Sequence, residues 1–230
     1  MPTPVYTVLF DLDGTFLDTA PDLIGALNKL RAEEGLDKIA EKLMRPHVSN
    51  GSIAIIENGF NITAEDEPFE RLKVRFLKIY EDNIAELTRP FPGMEDVVST
   101  LEQNNIPWGI VTNKPGWLTE PLLEALSLTE RCGCIVSSDT LPEKKPHPAP
   151  LLHGCKLAGG DPTLCVYVGD AERDIEAGRR AGMKTLIAKY GYISEQDQID
   201  KWQADDTINH PAEILEWLHE QSILTIELTP

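Results

Sequence analysis

Val5-Tyr6-Thr7-Val8-Leu9-Phe10-Asp11-Leu12-Asp13-Gly14-Thr15 is an apolar, β-prone run that stops at two carboxylates spaced i, i+2, followed by Gly and Thr. Alternation along an extended chain sends side chains i and i+2 the same way. Asp11 and Asp13 are therefore expected to project together from the carboxyl end of one buried strand, unless the chain turns sharply there. Burying unpaired carboxylates is expensive. A divalent cation would resolve the conflict, and a carboxylate beside a cation is a competent nucleophile.

Working outward, four more β-rich runs follow: Pro107–Thr112, Cys134–Ser137, Leu164–Val168 and Lys184–Ala188. Helical patterns at Met94–Asn104, Leu118–Leu128, Pro148–Ala158 and Asp174–Ala181 are interleaved with them. This rhythm predicts an α/β fold, a Rossmann-like doubly wound parallel sheet with helices on both faces. Right-handed crossovers place all strand carboxyl ends on one edge, where open α/β sheets bind ligands. About ninety residues separate the first two strands, where a crossover needs roughly 12 to 30. Asp22–Gly35, Ile39–Met44, Ser52–Gly59 and Glu67–Ile84 carry helical apolar spacing, with Leu72, Phe76, Ile79 and Tyr80 forming one face. The expectation is a core of residues 1–18 and 89–220, an inserted helical cap of residues 19–88 that could act as a lid, and a tail, 221–230. Pro90, Pro92 and Gly93 mark the return hinge. In the tail, Ile223, Leu224, Ile226 and Leu228 fit either an edge pairing or a loose terminus.

The 230 residues carry a net charge of −17, with 41% hydrophobic and 26% charged residues. No Lys/Arg cluster offers a footprint for nucleic acid. An anion site in this acidic chain has to be made positive locally. Cys132 and Cys134 have the wrong gap for a zinc pair, and Cys165 reads as a small core residue. With no leader-like or membrane-length apolar segment, a reduced, cytoplasmic protein is expected, with no membrane partner.

Three more positions fit the chemistry at the first strand. Thr112-Asn113 follows the second strand at the ligand edge, although Thr after a strand is usually an N-cap. Lys144-Lys145-Pro146-His147-Pro148 follows the third strand and opens a helix, with His147 a surface or capping residue. Gly169-Asp170-x-x-x-Asp174 delivers Asp170 to the edge that bears Asp11, with Asp174 near a helix start, where a dipole-stabilised N-cap is the competing reading. An oxygen-only acidic set suits Mg²⁺ better than zinc. Gly14 permits positive φ and close backbone approach to a phosphate.

These four motifs, in order over residues 11 to 174, resemble those of the haloacid dehalogenase-like superfamily, chiefly magnesium-dependent phosphatases. The resemblance implies that Asp11 attacks phosphorus and that Asp13 serves as general acid and base. It implies that Thr112 binds the phosphoryl group and that Lys145, rather than Lys144, neutralises it. Asp11, Asp13 (through its backbone carbonyl), Asp170 and Asp174 would form the Mg²⁺ site. Gly14 and Asn113 would contact the substrate, while Lys114 either meets its outer part or is solvated. Asp18 reads as a hinge or helix-capping residue.

Residues 19–88 resemble the helical cap of the phosphoglycolate phosphatase-like branch, with close relatives acting on N-acetylmuramic acid 6-phosphate. Leu43–Gly51 resembles the substrate-facing loop of that cap. Arg45 there could grip a carboxylate or be a surface residue, and Ser49 is a candidate contact. The label favoured is phosphoglycolate phosphatase, in a monomer or homodimer acting on a small phosphorylated metabolite of carbohydrate metabolism. Asp13 argues against a dehalogenase or phosphonatase. A phosphomutase keeps every motif and is separated only by its products. A receiver domain is about half this length, and a silent binding protein would have lost Asp11, Asp13 or Asp170.

Overall fold

The computed structural model describes residues 6–221 and residue 223. Six strands form one parallel sheet: β1 (Thr7–Phe10), β4 (Trp108–Val111), β5 (Cys134–Val136), β6 (Cys165–Gly169), β7 (Lys184–Ala188) and β8 (Asp206–Ile208), in the order β5-β4-β1-β6-β7-β8. Order reverses at β1, which pairs with β4 on one side and β6 on the other. That reversal opens a crevice at the carboxyl ends of these three strands.

Alternation along the strands divides the core. Val8 and Phe10, with Ile110, Val166, Val168 and Leu186, pack toward α5 (Met94–Gln103), α6 (Gly116–Ala125) and α9 (Glu213–Glu220). Leu9, Val111, Val136 and Tyr167 pack toward α7 (Ala149–Leu157) and α8 (Glu172–Arg180). Every side chain of β1 is buried, as a central parallel strand covered on both faces requires.

The insertion forms α1 (Ala20–Glu33), α2 (Glu41–Val48), α3 (Gly51–Phe60) and α4 (Phe69–Glu81), which share an apolar cluster centred on Leu27, Ile56, Phe76 and Tyr80. It leaves and re-enters the core through a two-stranded antiparallel ribbon, β2 (Leu17–Asp18) against β3 (Arg89–Pro90). Asp22 clasps its base, accepting hydrogen bonds from the backbone N–H of Leu87 and Thr88 and from the Thr88 hydroxyl at 2.7–2.9 Å.

Several expectations are corrected. The sheet has a sixth strand, β8, whose Asp-Thr-Ile sequence lacks an apolar run, its first two residues being exposed and half-buried. The helix expected at Ile39–Met44 instead begins at Glu41 and continues through Pro46 to Val48. Burial of Met44 and Val48 on one face outweighs the hydrogen bond that proline omits. Of the loop expected at Leu43–Gly51, only Ser49 and Asn50 lie between helices. Val5 and the tail beyond Gln221, Ile223 excepted, lie outside the described residues; Ile223 packs against the core. Among the described residues, no helix is long and apolar enough to cross a membrane.

Candidate active site

Asp11, Thr112 and Asp170 each follow a strand terminus on the same rim: β1, β4 and β6. Ladder bonding carries Asp11 one residue past its strand, its N–H donating to the Val168 carbonyl at 2.9 Å. The chain then turns, with the Phe16 N–H bonding back to the Leu12 carbonyl at 3.1 Å. As a result the carboxylates of Asp11 and Asp13 meet different partners.

Asp11 faces Lys145, whose Nζ donates to Asp11 Oδ1 at 2.8 Å, to the Val111 carbonyl at 3.0 Å and to the Tyr167 hydroxyl at 2.7 Å. The Lys145 side chain is 1% exposed, whereas Lys144 is exposed and lines the cavity described below. Asn113 holds the Lys145 backbone from both sides: its Nδ2 donates to the carbonyl at 3.0 Å, and its Oδ1 accepts from the N–H at 3.1 Å. The Asn113 amide therefore positions the lysine loop. Thr112 is buried at the cavity wall, its hydroxyl accepting from the Lys114 N–H at 3.1 Å. His147 is exposed, its Nδ1 accepting from the Ala149 N–H at 3.2 Å at the start of α7.

Asp11, Asp170 and Asp174 are all buried, and each brings a carboxylate oxygen within 4.8 Å of the other two. Burial, with Asp11 and Asp174 adding to it, pushes the Asp170 carboxyl up to about 7. Burial also raises Asp174, against the lowering effect of Lys145. Lys145 Nζ also lies 2.8 Å from Asp174 Oδ1, so one buried ammonium is shared between two buried carboxylates. Three buried carboxylates gathered within 4.8 Å, with Lys145 in contact and Arg173 nearby as the cations that offset them, fit a hard divalent cation with oxygen ligands. The Asp13 carboxylate is not part of this trio.

Asp13 is held on a single oxygen. Lys114 Nζ is 2.9 Å from its Oδ1, and the Thr19 hydroxyl donates to the same atom at 2.6 Å. Lys114 is not solvated: its side chain is 7% exposed, it lines the cavity, and its ammonium sits 4.7 Å from the centroid of the Tyr80 ring of α4. Burial works against the lysine charge, yet Asp13 and Tyr80 hold it above the usual lysine value.

The insertion reaches the carboxylates directly. Ser49 donates to Asp170 Oδ2 at 2.7 Å, and Arg173 at the start of α8 bonds the Ser49 carbonyl. Between insertion and core lies a cavity of about 550 Å³, with Asp11, Asp13, Thr112, Lys114, Lys144, Ser49 and Arg173 on its polar side. Ile53, Phe76, Leu77, Trp117 and Leu118 supply apolar wall. Arg45 is not among the lining residues. Its guanidinium pairs with Asp18 at 3.0 Å and Glu41 at 2.8 Å, and lies 5.2 Å from the centroid of the Tyr192 ring. Asp18, the expected hinge residue, lies in the β2–β3 ribbon.

Gly14 has φ +89°, and a Cβ there would fall 2.2 Å from Asp170 Oδ2. The close neighbour that excludes a side chain here is Asp170. Sequence reasoning missed Arg173, Tyr80, Tyr192 and Thr19. Tyr192 donates from its N–H to Asp170 Oδ2 and from its hydroxyl to Asp18, at 2.9 and 2.8 Å. Arg173 had a readable signal, lying inside the Asp170–Asp174 motif.

The family model for haloacid dehalogenase-like hydrolases matches residues 8–188. An N-acetylmuramic acid 6-phosphate phosphatase of Pseudomonas putida is 40% identical over 207 residues, which are 90% of this chain and 93% of that protein. A phosphoglycolate phosphatase of Xylella fastidiosa is 43% identical over 205 residues, 89% of each. The crystal structure of a predicted phosphoglycolate phosphatase from Haemophilus somnus superimposes with a TM-score of 0.81 at 27% identity, covering 94% of this chain and 99% of that one. With the family model spanning most of its length and these relatives matching nearly end to end, the chain belongs to the haloacid dehalogenase-like hydrolase family.

Proposed function

We propose that the chain is a Mg²⁺-dependent phosphatase that hydrolyses a small, carboxylate-bearing phosphomonoester through an aspartyl-phosphate. Hydrolysis of phosphomonoesters is the activity that its family and its relatives' names support. The observation that carries the mechanism is the buried pair of Asp11 and Lys145 at 2.8 Å, with Asp170 and Asp174 beside it and Asp13 on the cavity wall.

Asp11 attacks phosphorus, the bond to the ester oxygen breaks, and Asp13 protonates that oxygen as it leaves. Asp13 then takes a proton from the water that hydrolyses the phosphoaspartate. Lys145 offsets charge on Asp11 and the phosphoryl oxygens, and Thr112 donates to one of them. Asp11, Asp170, Asp174 and the Asp13 carbonyl would hold Mg²⁺, which when bound supplies further neutralisation of phosphoryl charge. Helices α1–α4 act as the cap that closes on the ester, and the four free thiols accord with a cytoplasmic setting.

Between the two esters of the relatives, the cavity supports the larger. A space of about 550 Å³ with Trp117 and Ile53 exposed along it suits a sugar-sized group better than a two-carbon acid. N-Acetylmuramic acid 6-phosphate is therefore preferred here to phosphoglycolate, the label favoured by the sequence. A phosphate-release screen of both, with hexose phosphates, tests this by kcat/KM. A higher value for phosphoglycolate reverses the preference. Asp11→Asn is expected to be inactive with an unchanged circular dichroism spectrum; normal turnover removes the mechanism.

A further inference from the structure

We infer that Lys114 is a positioning residue for proton transfer: backed by the cap residue Tyr80, it fixes the Asp13 carboxylate so that one oxygen is reserved for the leaving group. This rests on the reading of Asp13 as the proton donor. Lys114 Nζ and the Thr19 hydroxyl both bind Asp13 Oδ1, at 2.9 and 2.6 Å, so the hydrogen bonds that fix this carboxylate fall on one oxygen and Oδ2 is left to carry the proton. A carboxyl group held at one oxygen loses its free rotation about the Cβ–Cγ bond, and that orientation is what general acid catalysis requires.

The hold is made across two parts of the fold. Lys114 belongs to the loop between β4 and α6, Asp13 to the turn after β1, and Tyr80 to α4. The centroid of the Tyr80 ring lies 4.7 Å from the ammonium, and the residue is itself fully buried. A cation over an aromatic face, shielded from water, gains both from the ring and from the carboxylate it faces. The α4 ring thus joins the insertion to the grip of Lys114 on Asp13. The other cations near the site stand differently: Lys145 serves Asp11, Arg173 is tied to Ser49 and Asn50, and Lys144 lines the cavity from an exposed position.

The balanced step is transfer of the Oδ2 proton to the bridging ester oxygen while the P–O bond breaks, its electron pair staying on that oxygen, and Asp11 forms the new bond to phosphorus. Such assistance matters for an alkoxide and little for a stabilised phenolate. The test compares kcat/KM, which reports events up to departure of the alcohol, for glucose 6-phosphate and p-nitrophenyl phosphate. Lys114→Met is expected to lose about 10²-fold on the sugar ester and less than tenfold on the aryl ester. Lys114→Arg keeps the wild-type ratio of the two, and Tyr80→Leu shifts it as Lys114→Met does, by less. Equal losses on both esters overturn the proposal, because a phosphoryl contact or a packing defect gives that result. Should Lys114→Met not fold, an unshifted ratio in Tyr80→Leu overturns it equally. Asp13→Asn is the reference: no skew there removes the acid reading itself, whereas a skew there with none in Lys114→Met removes only the role of Lys114.

Discussion

Lys145 offsets two carboxylates at once, lying 2.8 Å from both Asp11 and Asp174 with all three side chains almost fully buried. Removing one partner from such a group leaves uncompensated charge in the interior. Lys145→Met is therefore expected to lower stability by about 3–5 kcal/mol, read by urea unfolding in the presence of a chelator. An unchanged midpoint would mean that the carboxylates are already protonated or otherwise paired. Gly14 fails differently on substitution. Its positive φ and the close approach of Asp170 both exclude a side chain, so Gly14→Ala displaces a candidate ligand. The expected loss of Mg²⁺ affinity is about 10–100-fold by titration calorimetry, the usual cost of disturbing a ligand's support.

At the scale of elements, the insertion is joined to the core by a two-residue ribbon, the Asp22 clasp and a set of side-chain contacts around Asp18 and Tyr192. Arg45 belongs to that set: it crosses from α2 to Asp18 in the ribbon. A pair about 30% exposed at both ends contributes roughly 0.5–1 kcal/mol. Arg45→Ala should accordingly lower Tm slightly and change kcat/KM by the same factor for carboxylate-bearing esters and for p-nitrophenyl phosphate. A selective rise in KM for the carboxylate esters would return Arg45 to the substrate. The α2–α3 connection is short, and it places Ser49 against Asp170, so the insertion touches the carboxylates without any intermediate element.

For the whole molecule, the acidic rim makes stability depend on pH, and a divalent cation held there would add a dependence of its own. The Asp170 carboxyl, raised to about 7 by burial and by its acidic neighbours, binds a proton that the unfolded chain releases near the ordinary carboxylate range. Where the folded state holds more protons, stability falls as pH rises. The contribution of Asp170 is thus present below the ordinary carboxylate pKa and is lost as pH climbs through about 7. Metal requires the ionised carboxylates, so its effect runs the other way. Mg²⁺ added to chelator-treated protein should raise Tm more at pH 8 than at pH 5, and Asp170→Asn should flatten that difference. An equal rise at both pH values would place the cation elsewhere.

Much of the architecture was legible before any coordinates. The runs at Val5–Phe10, Cys134–Ser137, Leu164–Val168 and Lys184–Ala188 match strands to within two residues over the described part, because buried parallel strands must be continuously apolar. Strand β8 and the ribbon could not be read this way, since β8 buries only Ile208 and the ribbon strands are two residues each. The Ile214, Trp217 and Leu218 spacing of α9 was readable and went unused.

Local pattern by itself brought Asp11 and Asp170 to one sheet edge, because each follows an apolar strand run, whereas Lys145 rather than Lys144 was implied only by the resemblance to the haloacid dehalogenase-like superfamily. Which oxygen of Asp13 is held, that Asn113 braces the lysine loop, that Arg45 is committed to Asp18 and that Tyr80 lies on Lys114 were decided only by tertiary structure. Those contacts join residues 27 to 101 positions apart or depend on the seating of α1–α4, and neither composition nor periodicity encodes the angle at which one packed layer meets another.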